Sequence, residues 1–238
     1  MPRLLIITDD TAPLRHGRSV LGTLARAFDD VVIEPRLSHA VAVVVRARGL
    51  PVDDTARLCV SVRQVLTPAS VSVLVHGHPA LVAPLGLQGV HLPGALVTLP
   101  TGGLGAIRAL LPPGALLGVS AHPRHPGDVC AIDGADYATW SPIFPPSSKH
   151  DQRPPLGLAA LAGHQTPVVA LGGIDRTTAA ACIGAGAAGV AVLGAVLGAA
   201  DPAHALRGLL DALDIPWHRR RARPRPPRQP APTVSEAP

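Results

Sequence analysis

Two glycine-bearing segments carry the clearest chemical signal in this sequence. Residues 169–175 read VALGGID and residues 189–195 read GVAVLGA, so each is a short apolar run that leads into glycine. Backbone amides without a side chain can approach phosphate oxygens closely, and the start of a following helix adds partial positive charge. We therefore expect a phosphate monoester at these segments. The alternative is that the glycines only form tight corners after two strands.

Basic side chains follow other apolar runs. Arg46 and Arg48 stand two residues apart, so both side chains can point from the same edge of one strand end. Two guanidinium groups in that position suit a carboxylate or a phosphate. Residues 147–149, Ser-Ser-Lys, could add hydroxyl donors and a point charge to the same ligand. A charged, solvated rim is the alternative for each group.

Histidine supplies the candidate for proton transfer. His122 directly follows the run Gly118–Ala121, and an imidazole pKa lies close to neutrality. A single histidine at a strand end could therefore both remove and return a proton, as an isomerase requires. His76 and His78 invite a metal, but two histidines at i and i+2 without a nearby third ligand are weak grounds for one. We predict no metal site there.

All these residues follow short apolar runs of one kind. Eight runs have the length and apolar character of strands covered on both faces, and helix-compatible stretches alternate with them. The pattern predicts one α/β domain over residues 1–216, a (β/α)8 TIM barrel whose chemistry gathers at the carboxyl ends of the strands. An open doubly wound sheet is the alternative, but no GxGxxG follows the first run.

The predicted elements can be given by range. The strands are Leu4–Thr8, Ala42–Arg46, Val71–His76, Gly89–Leu92, Leu116–Ala121, Tyr137–Phe144, Val168–Gly172 and Gly189–Leu193. The helices are expected near 18–28, 53–66, 103–111, 125–134, 156–163, 175–186 and 201–213.

The composition narrows the class of protein. The chain has 238 residues, of which 47% are hydrophobic but only 2% aromatic, so aliphatic side chains must fill its core. No apolar run reaches the roughly 18 to 20 residues of a membrane span, and no secretory leader is recognisable, so we expect a cytoplasmic protein. Three cysteines without metal-binding or CxxC spacing are expected to be buried small hydrophobes in a reducing compartment.

The positive charge is confined to the carboxyl-terminal segment. The whole chain carries a formal charge of +5, and residues 217–238 alone hold six arginines and one glutamate, which also sum to +5. The preceding 216 residues are therefore neutral, so nucleic acid is an unlikely partner. The Pro/Arg-rich composition of residues 217–238 predicts a disordered tail. It could act as an anion-seeking arm or be only a solvated extension.

Taken together, the motifs resemble the thiamine phosphate synthase/TenI family over residues 4 to about 213. The resemblance rests on LLIITDD at 4–10, VRAR at 45–48, GVHL at 89–92, GVSAH at 118–122, GADYATWSPIFPPSSK at 134–149, VVALGGI at 168–174 and GAGAAGVAVLGAV at 184–196.

This resemblance implies a TIM barrel of thiamine biosynthesis that binds a phosphorylated thiazole. The residues that match the phosphate site of the family are Gly172, Gly173, Gly194 and Ala195. A diphosphate or carboxylate group would be held by the residues matching Arg46, Arg48, Ser120, Ser148 and Lys149. In the tautomerase branch, a histidine matching His122 moves the proton.

The sequence departs from the synthase branch at the metal positions. The resemblance places an Asn-Asp pair after the third barrel strand, where this chain has His76 and Gly77, and a second acid shortly after GVHL, where residues 93–97 read PGALV. Departure of a diphosphate normally depends on an oxygen-bound divalent cation. We therefore expect a thiazole tautomerase, an isomerase with no metal or cofactor, in which His122 is acid and base.

Two alternatives remain open. The first is thiamine phosphate synthase, a transferase that joins hydroxymethylpyrimidine pyrophosphate to the thiazole phosphate, releases pyrophosphate and uses Mg²⁺. The second is a degenerate, non-catalytic barrel that binds a thiamine precursor or a partner, with the arginine-rich tail as its contact arm. The sequence leaves a homo-oligomer open.

Overall fold

Eight parallel strands close into a barrel, as predicted. The computed structural model describes residues 1–9, 11–14, 16–94, 103–123, 125, 127–145 and 153–219. The barrel strands, in the order in which they pair around the barrel, are β1 (Leu4–Ile7), β3 (Val41–Val45), β4 (Ser72–His76), β5 (Gly89–Leu92), β6 (Leu116–Ala121), β7 (Tyr137–Trp140), β8 (Val168–Leu171) and β9 (Gly189–Val192). Strand β9 pairs with β1 and completes the ring, with Val190 opposite Leu4. The eight predicted strands are confirmed.

Helices surround this barrel. They are α1 (Thr11–Leu14), α2 (Val20–Ala27), α3 (Val52–Leu66), α4 (Gly103–Ala109), α5 (Ala179–Gly184), α6 (Gly194–Leu197) and α7 (Pro202–Ala212), with 3₁₀ turns at Pro35–Ala40, Thr67–Ala69, Pro79–Leu81 and Leu158–Leu161. Local signals explain two of the starts. The Ser19 hydroxyl accepts from the Gly22 amide at α2, and the Asp201 carboxylate accepts from the His204 amide at α7.

The helix predicted over 125–134 is wrong for the part of that segment that the structure describes. Its amides bond across to the chain before β8 instead of along a helix. The Cys130 amide donates to His164 Nδ1 at 3.1 Å, and the Ile132 amide donates to Thr166 Oγ1 at 2.8 Å. A segment whose backbone donors are satisfied by side chains elsewhere gains nothing from helical bonds of its own.

Two apolar layers follow from the alternation of side chains along the strands. The larger layer lies between the strands and the helices, and it includes all three cysteines, Cys59, Cys130 and Cys182. Burial raises the pKa of each thiol to about 11, so these side chains behave as small hydrophobes. The smaller layer fills the barrel itself, with Leu5, Ile7, Ala42, Val44, Leu74, Tyr137, Val169 and Ala191.

Three residues of the predicted tail take part in a two-stranded sheet outside the barrel. Residues Trp217–Arg219, assigned by composition to a disordered tail over 217–238, form strand β10 and pair antiparallel with β2 (Val31–Ile33). Arg219 also lies 3.6 Å from Asp30, and Trp217 Nε1 donates to Asp211 at 2.8 Å. Ladder bonds and these contacts fix three residues that proline and arginine content alone would leave unfolded. Residues 220–238 lie outside the described part of the chain.

Among the described residues, no helix combines the length and apolar character that crossing a membrane requires.

Candidate active site

A ring of polar side chains lies at the carboxyl-terminal mouth of the barrel. The inner layer contains alternate residues of each strand, such as Ala42 and Val44 in β3. Continuing the same alternation to the ends of the strands gives the next inward positions. On six strands they are polar, namely Asp9, Arg46, His76, His91, Ser120 and Thr139, whereas on β8 and β9 they are Leu171 and Leu193. The mouth is therefore polar along the ends of β1 and of β3 to β7.

A buried relay connects three of the strands at this mouth. His91 Nδ1 lies 3.1 Å from the Tyr137 hydroxyl, and His91 Nε2 lies 3.0 Å from Ser120 Oγ. His91 and Tyr137 are buried, whereas Ser120 is partly exposed at the mouth. Burial, then the charges of His76 and Arg46, lower the pKa of His91 to about 3, so its ring is neutral near pH 7. A neutral ring with both nitrogens engaged orients the Ser120 hydroxyl toward the mouth.

The Tyr137 ring occupies the space that a side chain at residue 118 would fill. A Cβ atom at Gly118 would collide with the Tyr137 ring, and these two residues are partners in the β6–β7 register. Burial raises the pKa of the Tyr137 hydroxyl well above its usual range, so that group stays protonated. The glycine in the GVSAH motif therefore makes room for the ring that supports His91.

Arg46 is fixed to the neighbouring strand through its backbone. Its amide donates to Thr8 Oγ1 at 2.7 Å, and the Thr8 hydroxyl lies 3.1 Å from the Arg46 carbonyl oxygen. Its guanidinium Nη1 lies 4.0 Å from the Asp9 carboxylate. Arg48, two residues on, is exposed at the rim. Arg46 thus follows β3 at the mouth, while Arg48 lies at its edge.

His122 lies in a different part of the mouth, beside the end of β7. Arg153 Nη1 lies 2.9 Å from His122 Nδ1, and Ser141 Oγ lies 3.3 Å from the same nitrogen. A guanidinium group can only donate, so Nδ1 accepts and the proton of a neutral ring is on Nε2. The nitrogen that would serve as a base is therefore engaged by a cation. This contact argues against the predicted acid and base role of His122.

The glycine corners have structural reasons of their own. Gly172 has φ +101° and Gly173 φ +64°, a region that disfavours other residues. A Cβ at Gly172 would lie 2.8 Å from Pro142 Cα, and one at Gly173 would lie 2.6 Å from the Pro145 carbonyl oxygen. Positive φ angles and close packing against the segment after β7 therefore both require glycine at these two positions. Gly194 and Ala195 open the short helix α6 at the end of β9.

The predicted site and the described site differ in several residues. The predicted Ser148 and Lys149 lie outside the described residues. The sequence analysis places His91 at a strand end but assigns no site role to it or to its buried partner Tyr137. No sequence signal points to Arg153, because its contact with His122 spans 31 positions.

Cavity shape does not locate the chemistry in this protein. One surface cavity of about 550 Å³ lies between α2 and α7, where the Arg207–Asp30 ion pair lines it. A second, of about 280 Å³, is lined by Ala195, by Asp175 in the loop after β8, and by His204 and Leu209 of α7. Neither contains the polar ring, so the strand ends identify the candidate site.

Fold and site together define a (β/α)8 barrel with cations and imidazoles at its carboxyl-terminal mouth. More particularly, the chain belongs to the thiamine monophosphate synthase (TMP-TENI) family, whose family model matches residues 4–196. It is 36% identical over 214 residues to the thiamine-phosphate synthase of Methanoculleus marisnigri, covering 88% of this chain and 94% of that protein. It is 34% identical over 217 residues to the thiamine-phosphate synthase of Moorella thermoacetica, covering 90% and 97%.

A solved structure confirms the fold. The thiamine phosphate pyrophosphorylase from Pyrococcus furiosus superimposes with a TM-score of 0.65 at 21% identity, covering 89% of this chain and 95% of that one. At this identity the likeness supports the barrel architecture alone.

The predicted thiazole tautomerase is wrong, and so is its class, isomerase. Relatives that are 32 to 36% identical over most of their length are named thiamine-phosphate synthase, which is a transferase. The prediction gave two missing carboxylates and one histidine more weight than the rest of the chain. The contact between Arg153 and His122 removes part of its chemical basis as well.

Proposed function

We propose that this protein is a thiamine-phosphate synthase. It would join hydroxymethylpyrimidine pyrophosphate to a thiazole phosphate and release inorganic pyrophosphate. The bond between the pyrimidine methylene carbon and the pyrophosphate oxygen breaks, and its electron pair leaves with that oxygen. The lone pair of the thiazole nitrogen forms the new carbon–nitrogen bond. The observation that carries this proposal is the 36% identity to a named synthase over 88% of the chain.

In this proposal the pyrophosphate lies at the ends of β3 to β6. Arg46 reaches into the mouth, Arg48 adds charge at the rim, and Ser120 presents a hydroxyl that His91 orients at 3.0 Å. Guanidinium groups bind phosphate oxygens in bidentate fashion, and charge-assisted bonds of this kind are the stronger ones. Ser148 and Lys149 would complete this set, following the family resemblance.

The phosphate of the thiazole substrate is assigned to the glycine corners after β8 and β9. Gly172 and Gly173 leave backbone without side chains there, and Gly194 and Ala195 begin a helix whose amides face the strand end. A phosphate at this position and a pyrophosphate across the mouth would place the two reacting rings between them, which removes the entropy cost of their encounter.

His122 keeps a place in the proposed site as a binding group. Arg153 and Ser141 lie 2.9 Å and 3.3 Å from its Nδ1, and these two contacts fix the position of the ring. Arg153 adds positive charge beside it. The pair would orient substrate, and no proton transfer is assigned to it.

The divalent cation implied by the resemblance does not fit the described donor set. Mg²⁺ takes oxygen ligands, chiefly carboxylates and water, and it disfavours imidazole. At the end of β4 the chain offers His76 and Gly77, and the Asp9 carboxylate lies 4.0 Å from Arg46. Among the described residues, no group of three side chains could hold a metal. The described residues therefore give a metal no role in the proposed reaction.

Turnover tests the proposal directly. The purified chain is incubated with both substrates, and thiamine phosphate and pyrophosphate are measured together. We expect the two products in equal amounts. Arg46→Gln should raise the KM for the pyrimidine substrate by roughly tenfold or more, whereas Arg26→Gln on α2 should leave it unchanged. Binding of the thiazole phosphate without any product would instead favour the non-catalytic barrel.

A further inference from the structure

We propose that the ends of β3, β4 and β5 form a pyrophosphate site that works without a divalent cation, with His76 as a direct ligand of the anion. This inference rests on the proposed synthase function and names the groups that neutralise the pyrophosphate. Its chemistry is that of a polyanion bound by guanidinium groups and an imidazole N–H.

Strand register brings Arg46, His76 and His91 side by side. Val45 is the partner of Val75, so the residues that follow them, Arg46 and His76, meet at the strand ends. His76 is in turn the partner of His91, and their ring centroids are 5.9 Å apart. Residues in register on neighbouring parallel strands point to the same face. Arg46 and His76 therefore present their polar atoms to one place in the mouth, above the buried His91.

The electrostatic surroundings of His76 are those of an anion site. Burial and then the positive charges of Arg46, His78 and Arg48 lower the pKa of His76 to about 4. The described carboxylate at this edge, Asp9, lies 4.0 Å from the Arg46 guanidinium group. Within the described part of the chain, this edge therefore carries two guanidinium groups and one carboxylate. The negative charge of a pyrophosphate bound there would offset the repulsion between these cations and a protonated imidazole.

The His76 ring also lacks a hydrogen-bonding partner within the described chain. No described residue lies within hydrogen-bond distance of either ring nitrogen, although the side chain is only partly exposed. Its neighbour His91 shows the opposite, with both nitrogens engaged. Polar groups that are partly removed from water are usually satisfied. An anion in the mouth would satisfy the N–H group of His76.

The backbone after β4 leaves room for a carboxylate ligand that the sequence does not supply. Gly77 has φ +79°, a conformation that aspartate and asparagine tolerate better than most residues, and no atom lies within 4 Å of the position of an added Cβ. The site could therefore accommodate an acid at residue 77, but it has glycine beside an imidazole. The positive charge that an Asp-bound cation would supply is provided instead by Arg46 and Arg48, and the neutral His76 ring adds an N–H donor.

Binding of inorganic pyrophosphate to the full chain tests this inference by titration calorimetry, with EDTA and then with excess Mg²⁺. We expect binding in EDTA, with Mg²⁺ leaving the affinity unchanged or weakening it by competition for the anion. His76→Asn should weaken binding in EDTA by roughly tenfold or more, since one charge-assisted bond is lost. The matched control is His39→Asn, an exposed histidine before β3 at the opposite end of the barrel, which should bind like the parent. Binding that requires Mg²⁺, or that His76→Asn leaves intact, overturns the proposal.

A second variant keeps the test decisive if His76→Asn folds poorly. Gly77→Asp adds the missing carboxylate without steric conflict, so it should repel pyrophosphate in EDTA and regain affinity when Mg²⁺ is added. Mg²⁺ is thus expected to strengthen pyrophosphate binding by Gly77→Asp but not by the parent. The same response in both proteins would refute metal-free binding.

Turnover separates this inference from the proposed function. Product formation that depends strictly on Mg²⁺ would leave the synthase assignment standing and remove the metal-free site. Pyrophosphate binding in EDTA, without product from the two substrates under any condition, would retain the anion site and remove the synthase assignment.

Discussion

The buried relay between Tyr137, His91 and Ser120 should be a measurable source of stability. Tyr137→Phe removes only the hydroxyl that lies 3.1 Å from His91 Nδ1 and keeps the ring that packs against Gly118. Because Tyr137 is 0% and His91 2% exposed, water cannot easily replace the lost partner. A buried polar atom left without a partner costs about 1–3 kcal/mol, so we expect the free energy of unfolding to fall by that amount.

Urea unfolding followed by circular dichroism measures the effect, and Ser120→Ala supplies the comparison. Ser120 lies on the other nitrogen of the same ring but is partly exposed, so water can take over its bond. We expect that variant to lose less than about 1 kcal/mol. The relay would be refuted if Tyr137→Phe lowered the free energy of unfolding by less than about 0.5 kcal/mol. It would also be refuted if Ser120→Ala lowered it by more than Tyr137→Phe does.

Two further predictions concern pH and the glycine corner. Burial lowers the pKa of His76 to about 4 and of His91 to about 3, against about 6.5 in the unfolded chain, so the native state favours the neutral rings. Stability should be complete above pH of about 6.5 and decline below it, and His76→Asn should show a shallower decline in unfolding titrations. Gly172→Ala combines φ +101° with a contact of 2.8 Å to Pro142 and should lose about 3 kcal/mol or more. Gly163→Ala, with φ +78° and open space, should lose about 1–2 kcal/mol; equal losses would contradict the packing argument.

The failure of the isomerase prediction has a physical explanation. Sequence comparison of single positions detects which side chains are missing, such as an acid at residue 77, but not what fills their role. The barrel brings Arg46 next to His76 through the register of β3 and β4. Positive charge is therefore available at the site even though the expected carboxylates are not. The missing carboxylates alone suggested a different reaction. The full set of side chains at the mouth does not require one.

Contacts between distant segments also explain what the helix prediction missed. In the segment 125–134, for which a helix is predicted, the amides of Cys130 and Ile132 donate to side chains on the chain before β8. Likewise, Trp217–Arg219 lie in a Pro/Arg-rich sequence but pair with β2, more than 180 positions away. Local propensity is a weak guide wherever long-range partners satisfy the backbone.

The sequence by itself determined the barrel, because eight short apolar runs at regular spacing can bury both faces only as parallel strands covered by helices. It also determined that polar residues and glycine gather at the strand ends. Only the tertiary structure decided which of those residues meet. Register sets Arg46 beside His76 and His91 and places the Tyr137 ring against Gly118, and the loop after β7 brings Arg153 to His122. These contacts depend on the spacing between strands, which no local pattern encodes.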